Sequence, residues 1–311
     1  MGADPNKDRG AQISPSPVEA EQKSAVWQSR LWKWYRGLTR MRAARSTPSI
    51  PEASVLLITY DRLGMLRECV SSVLANTSDV EYELIVWDNA STDGTAEYLD
   101  AVASSNPRVQ VVHSDENVGL NGVAACVRLA RGNYLVEMDD DVVAVPAGWL
   151  AEMIRAFDSV PRAGFLAANV VQDETTNGAK PPQDQYRISD YGDGVVIEHG
   201  PTGGWCTITS KEVVARIGNF LEVPGRVFFG EDGDFARRCR RRRYRIGIVR
   251  DVRVYHATGI AKNLEYGYAE ICRRKYADGP EYETHLAAIL SAMGDSSTAP
   301  QDTGSETERL R

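Results

Sequence analysis

The chain has 311 residues, of which 42% are hydrophobic, so it is long enough to bury one large core or two smaller ones. Its formal net charge of −7 argues against a protein that binds nucleic acid over most of its surface. Five cysteines are spread along the chain without a CxxC pair, which favours reduced thiols over a disulfide framework. Neither a signal peptide nor a membrane-spanning stretch is visible, so the sequence predicts a cytoplasmic protein.

The two ends of the chain differ from its middle in composition. Residues 1–22 and 295–311 are poor in bulky apolar side chains and rich in polar and charged ones, so both segments are predicted to be disordered. Residues 23–46 instead predict a basic amphipathic helix, because apolar side chains recur there at alternating spacings of four and three. Those side chains are Trp27, Leu31, Trp34, Leu38 and Met41.

The other side of this predicted helix is cationic, since residues 23–45 contain seven Lys and Arg residues and no Asp or Glu. A helix with tryptophan anchors and a cationic face can lie on an anionic membrane surface. Such contact would make the protein peripheral on the inner face of the plasma membrane. The alternatives are that the apolar stripe packs on the rest of the protein's own chain, or on a second copy of the chain in a homodimer.

From Ala53 onward, apolar strands alternate with helices. The first half predicts strands at 53–59, 82–88, 109–113 and 133–139, with helices at 63–74, 95–104 and 120–131. This alternation is typical of an α/β protein with a mostly parallel sheet flanked by helices. The second half is less regular and predicts helices at 148–157, from Asp232 and at 282–293, and strands near 164–171, 194–198, 205–209, 246–249 and 252–255.

Acidic residues follow the end of one predicted strand. Open α/β sheets bind their ligands at the carboxyl ends of their strands. Asp139 and Asp141 flank Asp140 at the end of strand 133–139, so the outer two side chains are predicted to point to the same side. Two such oxygen ligands suit Mg²⁺ or Mn²⁺ held together with a diphosphate. The alternative is an acidic turn in which Asp141 caps the next segment.

The ends of the first two predicted strands carry polar side chains as well. Asp88 is placed to accept a hydrogen bond from a ribose hydroxyl or a base N–H, and the alternative is a turn that feeds the next helix. Thr59 and Asp61 end the first strand in the same way and are placed to border the same nucleotide.

Three further features lie in the second half. Glu231 and Asp232 open a predicted helix, where carboxylates either cap the helix or deprotonate and orient an acceptor hydroxyl. His256 ends a predicted strand and is a candidate third metal ligand, although a lone histidine is more often structural. Trp205 follows two glycines, and its ring either stacks on a sugar or belongs to the core.

The segment Arg237–Arg245 holds seven arginines. Such a run either binds the phosphates of a donor, an acceptor or a lipid headgroup, or is a solvated helix face. Together with the basic helix at 23–46, it favours an anionic or lipid-linked acceptor.

Five motifs occur in one order between residues 53 and 258: LLITYDR, VWDNASTDGT, ENVGLNG…ARGNYLVEMDDD, GGW…VVARIGNF and FFGEDGDFARRCRRRRYRIGIVRDVRVYH. In that order they resemble the family 2 inverting glycosyltransferases, which have the GT-A fold. The spacing of Asp232 and His256 is most similar to the rhamnosyl- and galactofuranosyl-transferase branch, in which a histidine joins the metal site. The resemblance implies a GT-A catalytic domain at 53–258. The helix predicted at 282–293 indicates a C-terminal helical extension at 259–294.

The resemblance also implies roles for the motif residues. Asp232 would be the general base with Glu231 beside it, and Mn²⁺ or Mg²⁺ would be held by Asp139, Asp141 and His256. The nucleotide of a UDP- or dTDP-linked sugar would be bordered by Thr59, Asp61, Asp88, Asn117, Asp139 and Asp140. The acceptor, a glycan or a lipid-linked sugar, would contact Gly203, Gly204 and Trp205. The implied function is metal-dependent hexosyl transfer with inversion, in cell-wall or polysaccharide biosynthesis.

Two other classes of protein are less consistent with the sequence. A sugar-phosphate nucleotidyltransferase would need a glycine-rich basic loop after the first strand, where this chain reads TYDRLGML. A non-catalytic nucleotide-sugar-binding or scaffold protein of the same fold would be expected to have a broken acidic set, whereas Asp139, Asp141, Glu231 and Asp232 are all present.

Overall fold

The computed structural model describes residues 50–173 and 180–268. The predicted disordered ends 1–22 and 295–311 and the predicted helices 23–46 and 282–293 lie outside these residues, as does most of the predicted extension 259–294. Within the described ranges, no helix combines the length and the apolar character that a membrane crossing requires.

Ten strands form one mixed sheet in the described part of the chain. They are β1 (Ala53–Thr59), β2 (Tyr82–Asp88), β3 (Val109–His113), β4 (Tyr134–Asp139), β5 (Val142–Ala144), β6 (Ala163–Val170), β7 (Arg187–Asp190), β8 (Val196–His199), β9 (Cys206–Ser210) and β10 (Arg245–His256). Across the sheet the order is β3-β2-β1-β4-β9-β6-β10-β8-β7, and β5 pairs with β10.

The α-helices of the described ranges connect these strands. They are α1 (Leu63–Asn76), α2 (Thr95–Ser105), α3 (Asn121–Leu129), α4 (Trp149–Ser159), α5 (Lys211–Ile217), α6 (Glu231–Arg241) and α7 (Ile260–Glu265). The predicted mixed sheet flanked by helices is therefore confirmed, and in the first half each predicted strand and helix is present with bounds shifted by a few residues at most.

The parallel half of the sheet brings polar strand ends to one edge. β1 pairs in parallel with β2 on one side and β4 on the other, with Thr59 opposite Asp88 and Ile58 opposite Asp139. The strands between these ends are almost entirely buried, as their continuous apolar sequences require. The carboxyl ends of β1, β2 and β4 therefore lie side by side.

The antiparallel strand β9 brings a later segment to the same edge. Met138 pairs with Cys206, and the Asp139 amide donates a hydrogen bond of 3.0 Å to the Trp205 carbonyl. Because β9 begins where β4 ends, the residues just before β9 must lie beside Asp139. This pairing places Gly203 and Gly204 at the edge that carries the acidic residues.

The prediction of two separate strands at 246–249 and 252–255 is wrong, because β10 runs without a break from Arg245 to His256. Its register against β6 shifts between Val249 and Arg253. The charged pair Arg250-Asp251 interrupts the apolar pattern, but the Arg250 carbonyl accepts a hydrogen bond of 2.8 Å from the Asn169 side chain. The strand therefore continues through an irregularity, although the charged pair in the sequence is typical of a turn.

Three phenylalanines anchor helix α6 to the sheet. Phe235 of α6 is 0% exposed and stacks on Phe220 with ring centroids 4.4 Å apart. Phe165 of β6 packs against both rings, at 5.2 Å from Phe235 and 6.1 Å from Phe220. Burial of aromatic rings in this way is a large stabilising contribution, so the first turn of α6 is held firmly at the sheet edge.

Candidate functional site

Asp139, Asp141 and His256 form a candidate metal centre at the ends of β4 and β10. Their potential ligand atoms all lie within 4.8 Å of one another. His256 Nε2 is 3.0 Å from Asp141 Oδ1 and 3.4 Å from Asp139 Oδ2. Burial lowers the pKa of His256, but the charges of Asp141 and Asp139 more than offset this and raise it to about 10. The structure thus brings together the three residues that the sequence nominated as metal ligands.

The middle aspartate of the triplet faces a different set of partners. Asp140 is 0% exposed, accepts a hydrogen bond of 2.8 Å from the Thr59 hydroxyl and forms an ion pair with Arg62. Arg62 also donates to Asp141 Oδ2 at 2.8 Å. Although burial alone would lower the pKa of Arg62, Asp140 and Asp141 raise it. Arg62 therefore bridges Asp140 and Asp141.

The predicted nucleotide contacts occupy three kinds of position. Thr59 and Asp140 are buried against each other, so their contact with a nucleotide stays a prediction. Asp61 accepts hydrogen bonds from the amide and hydroxyl of Thr92, which joins the loops that follow β1 and β2. The Asn117 side chain accepts a hydrogen bond of 2.9 Å from the Gly119 amide, in the loop before α3.

Asp88 is buried at the end of β2 but has polar partners. It accepts hydrogen bonds from the Ser91 amide at 3.0 Å and from His113 Nδ1 at 3.0 Å. Burial raises the pKa of Asp88, but the His113 and Ser91 hydrogen bonds outweigh this and lower it. Asp88 is therefore a fixed carboxylate at the end of β2.

Asp232 lies in the first turn of α6 and is held by backbone amides. Its Oδ2 accepts from the Gly204 amide at 3.0 Å, and its Oδ1 accepts from the Gly233 amide at 2.6 Å. Burial raises the pKa of Asp232, and the charge of Asp139 adds to this, while the two amides oppose it. Each carboxylate oxygen keeps a further lone pair with which it can accept a proton.

Glu231 and Glu137 complete an acidic group around Asp232. Burial, with the charges of Asp232 and Asp139, raises the pKa of Glu231 to about 8. Burial and the charges of Glu231, Asp232 and Asp139 raise the pKa of Glu137 well above its ordinary value. Among the described residues, no Lys or Arg forms an ion pair with Glu137, Glu231 or Asp232. A carboxyl group in such surroundings binds a proton more readily than it does in water.

The predicted acceptor residues line a cavity of about 340 Å³. This catalytic cavity is lined by Asp139, Asp232 and His256, by the segment Pro201–Trp205, and by Pro181 and Thr258. Trp205 is 4% exposed, stacks on His256 and donates from its indole nitrogen to the Ala168 carbonyl. Its ring therefore belongs to the core, and only part of the residue reaches the cavity.

The two glycines before Trp205 are required by close packing. A Cβ on Gly204 would lie 3.1 Å from the carboxyl carbon of Glu137. A Cβ on Gly203 would lie 2.7 Å from the Trp205 ring and 3.3 Å from Asp232 Oδ2. These glycines thus allow the backbone to approach Asp232 and Glu137 closely, and their contact with an acceptor stays a prediction.

Asn121 positions the loop that leads to α6. This residue is 3% exposed, and its amide nitrogen donates to the carbonyls of Val118 at 2.7 Å and Arg226 at 2.9 Å. Its side-chain oxygen accepts from the Val223 amide at 2.7 Å. Gly119 has a φ of 57°, and a Cβ there would lie 2.0 Å from the Val227 carbonyl oxygen. The loop at 223–230 is therefore fixed against the start of α3.

Arg62, Glu137 and Asn121 were not nominated from the sequence. Arg62 and Asn121 stand inside quoted motifs, LLITYDR and ENVGLNG, but their partners are far away in the chain. Glu137 could have been predicted as a site residue, because it is two residues before Asp139 in an otherwise apolar strand and so shares the face of Asp139.

Comparison with known proteins agrees with this fold. The family model described as Glycosyl transferase family 2 matches residues 54–214, just over half of the chain. The chain is 36% identical over 126 residues to an undecaprenyl-phosphate mannosyltransferase of Micrococcus luteus. The matched region covers 39% of this chain and 47% of the relative. The chain is 32% identical over 93 residues to a chondroitin synthase of Pasteurella multocida, covering 30% of this chain and 9% of the relative. The chain thus spans less than half the length of these curated relatives.

Two solved structures share the fold over most of the described chain. One is the mannosyltransferase PcManGT from Pyrobaculum calidifontis in complex with GDP-Man and Mn²⁺, with a TM-score of 0.53, 18% identity, and 89% of this chain and 86% of that chain covered. The other is S. aureus TarS 1-349 in complex with UDP-GlcNAc, with a TM-score of 0.51, 17% identity, and 78% and 71% covered. The chain therefore belongs to glycosyl transferase family 2 and has the GT-A fold that its sequence predicted.

Proposed function

We propose that this chain is a metal-dependent inverting glycosyltransferase that moves a sugar from a nucleoside-diphosphate sugar to a hydroxyl of a glycan or lipid-linked acceptor. One observation carries the proposal: Asp139, His256 and Asp232 line the same cavity. A cluster suited to a cation and a separate carboxylate suited to a proton therefore share one space. Donor and acceptor would meet in that space.

The candidate metal centre fits a divalent cation by its donor atoms. Two carboxylates and an imidazole suit Mn²⁺, and Mg²⁺ is the second candidate because carboxylate oxygens are its preferred ligands. When bound, the cation would neutralise the negative charge that develops on the departing nucleoside diphosphate. The Mn²⁺ in the PcManGT complex supports this assignment.

Asp232 is the proposed general base. It would take the proton of the acceptor hydroxyl as that oxygen bonds to the anomeric carbon and the bond from this carbon to the diphosphate breaks on the opposite face, so that configuration inverts. A sugar hydroxyl is a poor nucleophile until it is deprotonated, and the raised pKa of Asp232 brings the base closer to neutral pH. The amides of Gly204 and Gly233 orient its carboxylate, and Glu231 lies beside it.

The nucleotide is proposed to lie along the ends of β1, β2 and β4. Asp88 and Asp61 would border the nucleoside, and Asn117 would lie on its other side. We propose a UDP- or dTDP-linked donor, and the GDP-Man and UDP-GlcNAc in the neighbouring structures make GDP the third nucleotide to compare. The combination of Asp232 with His256 supports a place near the rhamnosyl- and galactofuranosyl-transferase branch.

The acceptor is proposed to belong to cell-wall or polysaccharide biosynthesis. The names of two relatives, an undecaprenyl-phosphate mannosyltransferase and a chondroitin synthase, support a lipid-linked or a glycan acceptor. Contact of residues 23–45 with an anionic membrane surface remains a proposal, as do a cytoplasmic location and a homodimer built on the same stripe.

The base assignment is tested by Asp232→Asn with Asp234→Asn as the matched control. Asp234 is in the same helical turn but pairs with Arg237 and Arg238 and is absent from the cavity lining. We expect Asp232→Asn to abolish transfer, by at least about a hundredfold, while donor affinity stays within a few-fold. Asp234→Asn should keep most of the activity. Substantial turnover in Asp232→Asn, lost instead in Glu231→Gln, would assign the base role to Glu231.

A further inference from the structure

A second cavity, of about 320 Å³, lies at the other end of helix α6 from Asp232. It is lined by Arg187, His199, Gly200, Arg240, Arg245 and Ile246. We call it the basic cavity. Its volume is at the lower end of the range for small-molecule sites, so it can hold a group of about the size of one substituted sugar.

The three arginines of the basic cavity carry charge that the described residues leave unneutralised. Arg240 donates to the Gly200 carbonyl at 3.3 Å, and Arg245 donates to the Tyr191 hydroxyl. Neither these two nor Arg187 pairs with a carboxylate in the described ranges. Earlier in the same run, by contrast, Arg237 and Arg238 both pair with Asp234. All three arginines are exposed to solvent, so the cavity presents a positive surface that attracts an anion.

One of these arginines is oriented by a chain of hydrogen bonds. His199 Nδ1 lies 3.0 Å from the Ile246 carbonyl, and its Nε2 lies 2.7 Å from the Tyr191 hydroxyl. With Nδ1 as the donor to the carbonyl, Nε2 accepts the Tyr191 proton, and the Tyr191 oxygen accepts from Arg245. Burial, followed by the charges of Arg245 and Arg187, lowers the pKa of His199, which agrees with a neutral ring. The guanidinium of Arg245 is therefore held in place before any ligand binds.

The basic cavity and the catalytic cavity are lined by consecutive parts of one short segment. His199 and Gly200 line the first, and Pro201–Trp205 line the second. Along α6, Asp232 and Arg240 are eight residues apart, which corresponds to about 12 Å of helix. A molecule whose hydroxyl lies at Asp232 can thus extend along 200–204 toward the arginines.

We propose that the basic cavity binds a carboxylate of the acceptor glycan, so that the transferase acts on an anionic glycan. This rests on the proposed function, because it takes the side of the catalytic cavity at 201–205 to be the acceptor side. Arginine recognises a carboxylate by two parallel hydrogen bonds. A concave site favours a glycan chain over a flat membrane surface.

The test compares the wild type with Arg240→Gln/Arg245→Gln and with the control Arg241→Gln/Arg242→Gln. The control removes the same number of charges from exposed positions of the same run that do not line the cavity. Binding is measured by calorimetry in EDTA with four probes: a galacturonic acid oligosaccharide, its carboxyl-reduced form, inorganic phosphate, and phosphatidylglycerol vesicles. Working in EDTA removes any cation that could hold an anion at Asp139 and Asp141.

We expect the acidic oligosaccharide to bind the wild type and the control alike, and to bind Arg240→Gln/Arg245→Gln about tenfold more weakly. The carboxyl-reduced form should bind all three proteins equally weakly. Equal binding of the acidic oligosaccharide to all three proteins, or to none, would overturn the proposal. Loss confined to phosphate or to vesicles would also overturn it, since the occupant would then be a free anion or a lipid surface.

A separate titration of UDP with Mn²⁺ distinguishes failure of this inference from failure of the proposed function. The nucleotide site lies at Asp139 and Asp141, so UDP affinity should be the same in all three proteins. If UDP does not bind while the oligosaccharide difference persists, the donor assignment fails and the anion site stands. If UDP binds and the oligosaccharide difference is absent, the anion site alone is wrong.

Discussion

Two groups of carboxylates meet at the catalytic cavity, and they differ in what neutralises them. The paired cluster is Asp139, Asp140 and Asp141, which have Arg62 and His256 as cationic partners. The unpaired cluster is Glu137, Glu231 and Asp232, which have no Lys or Arg as ion-pair partner in the described part of the chain. Both clusters are largely buried at the same sheet edge.

This difference in partners separates two chemical tasks. A carboxylate beside a fixed cation keeps its negative charge, which suits it to hold a metal or to be part of a rigid anionic wall. A buried carboxylate without a cation gains affinity for protons, which suits it to accept one from a hydroxyl. Burial raises the pKa of Asp140 to about 6 while Arg62 opposes this rise, whereas no cation opposes the larger rise of the Glu231 pKa to about 8. Each prediction below acts on one cluster while leaving the other in place.

The largest expected effect comes from removing the cation of the paired cluster. Arg62→Ala leaves Asp140 buried and uncompensated, so the free energy of unfolding at pH 8 should fall by about 3–5 kcal/mol. Urea denaturation measures this directly. The control is Arg67→Ala in the same helix, whose guanidinium lies over the Tyr98 ring at 4.7 Å. Its loss should stay below about 1 kcal/mol. A loss of that small size in Arg62→Ala would contradict the pairing.

A smaller loss is expected when the unpaired cluster is displaced without a change of charge. Asn121→Ala removes the hydrogen bonds that hold the loop at 223–230, so stability should fall by about 2–3 kcal/mol. Because this loop leads to Asp232, transfer should slow while nucleotide affinity is retained. Asn106→Ala, at a half-buried position directly after α2, is the control and should change neither rate nor affinity. Weaker nucleotide binding in Asn121→Ala with an unchanged rate would show that the loop serves the donor side instead.

The last expected effect on stability depends on pH. The folded pKa of Glu231, about 8, is above its unfolded value, so the unfolded chain releases this proton first and the wild type loses stability as pH rises from about 4.5 to 8. Glu231→Gln removes this loss. Relative to the wild type it should therefore gain up to about 1.4 kcal/mol for each pH unit between pH 5 and pH 8, and no more above pH 8.

Thermal or urea unfolding in EDTA at several pH values measures this gain. Glu222→Gln is the matched control, because Glu222 pairs with Arg128 at 2.9 Å near the surface and should show no such gain. A gain in Glu231→Gln that is independent of pH would show that Glu231 is ionised in the folded protein.

The paired cluster was easier to predict from the sequence than the unpaired one. Asp139 and Asp141 are neighbours in the chain at the end of an apolar strand, so the alternation of a strand is enough to place them together. Arg62 escaped prediction because its contact with Asp141 spans 79 residues and depends on β1 and β4 being adjacent. The order of strands in a sheet is a tertiary property, and hydrophobic periodicity does not contain it.

The unpaired cluster depends even more on tertiary structure. Glu137 meets Asp232 and Glu231 only because β9 inserts antiparallel to β4 and brings Gly204 against the Glu137 carboxyl group. The hydrophobic pattern is weakest in the irregular second half of the chain. There the charged pair led to the prediction of two strands in place of β10. Helix α6, in contrast, was recognisable from its acidic start and its arginine run.

Nucleotide binding to two variants distinguishes the roles of the clusters most directly. UDP, dTDP and GDP are titrated by calorimetry with Mn²⁺ and again with EDTA, on the wild type, Asp139→Ala/Asp141→Ala and Asp232→Asn. We expect metal-dependent binding of one nucleotide by the wild type, its loss in the double variant and its retention within a few-fold in Asp232→Asn. Binding that survives in the double variant but is lost in Asp232→Asn, or no binding by the wild type, would contradict the assignment of the donor to the paired cluster.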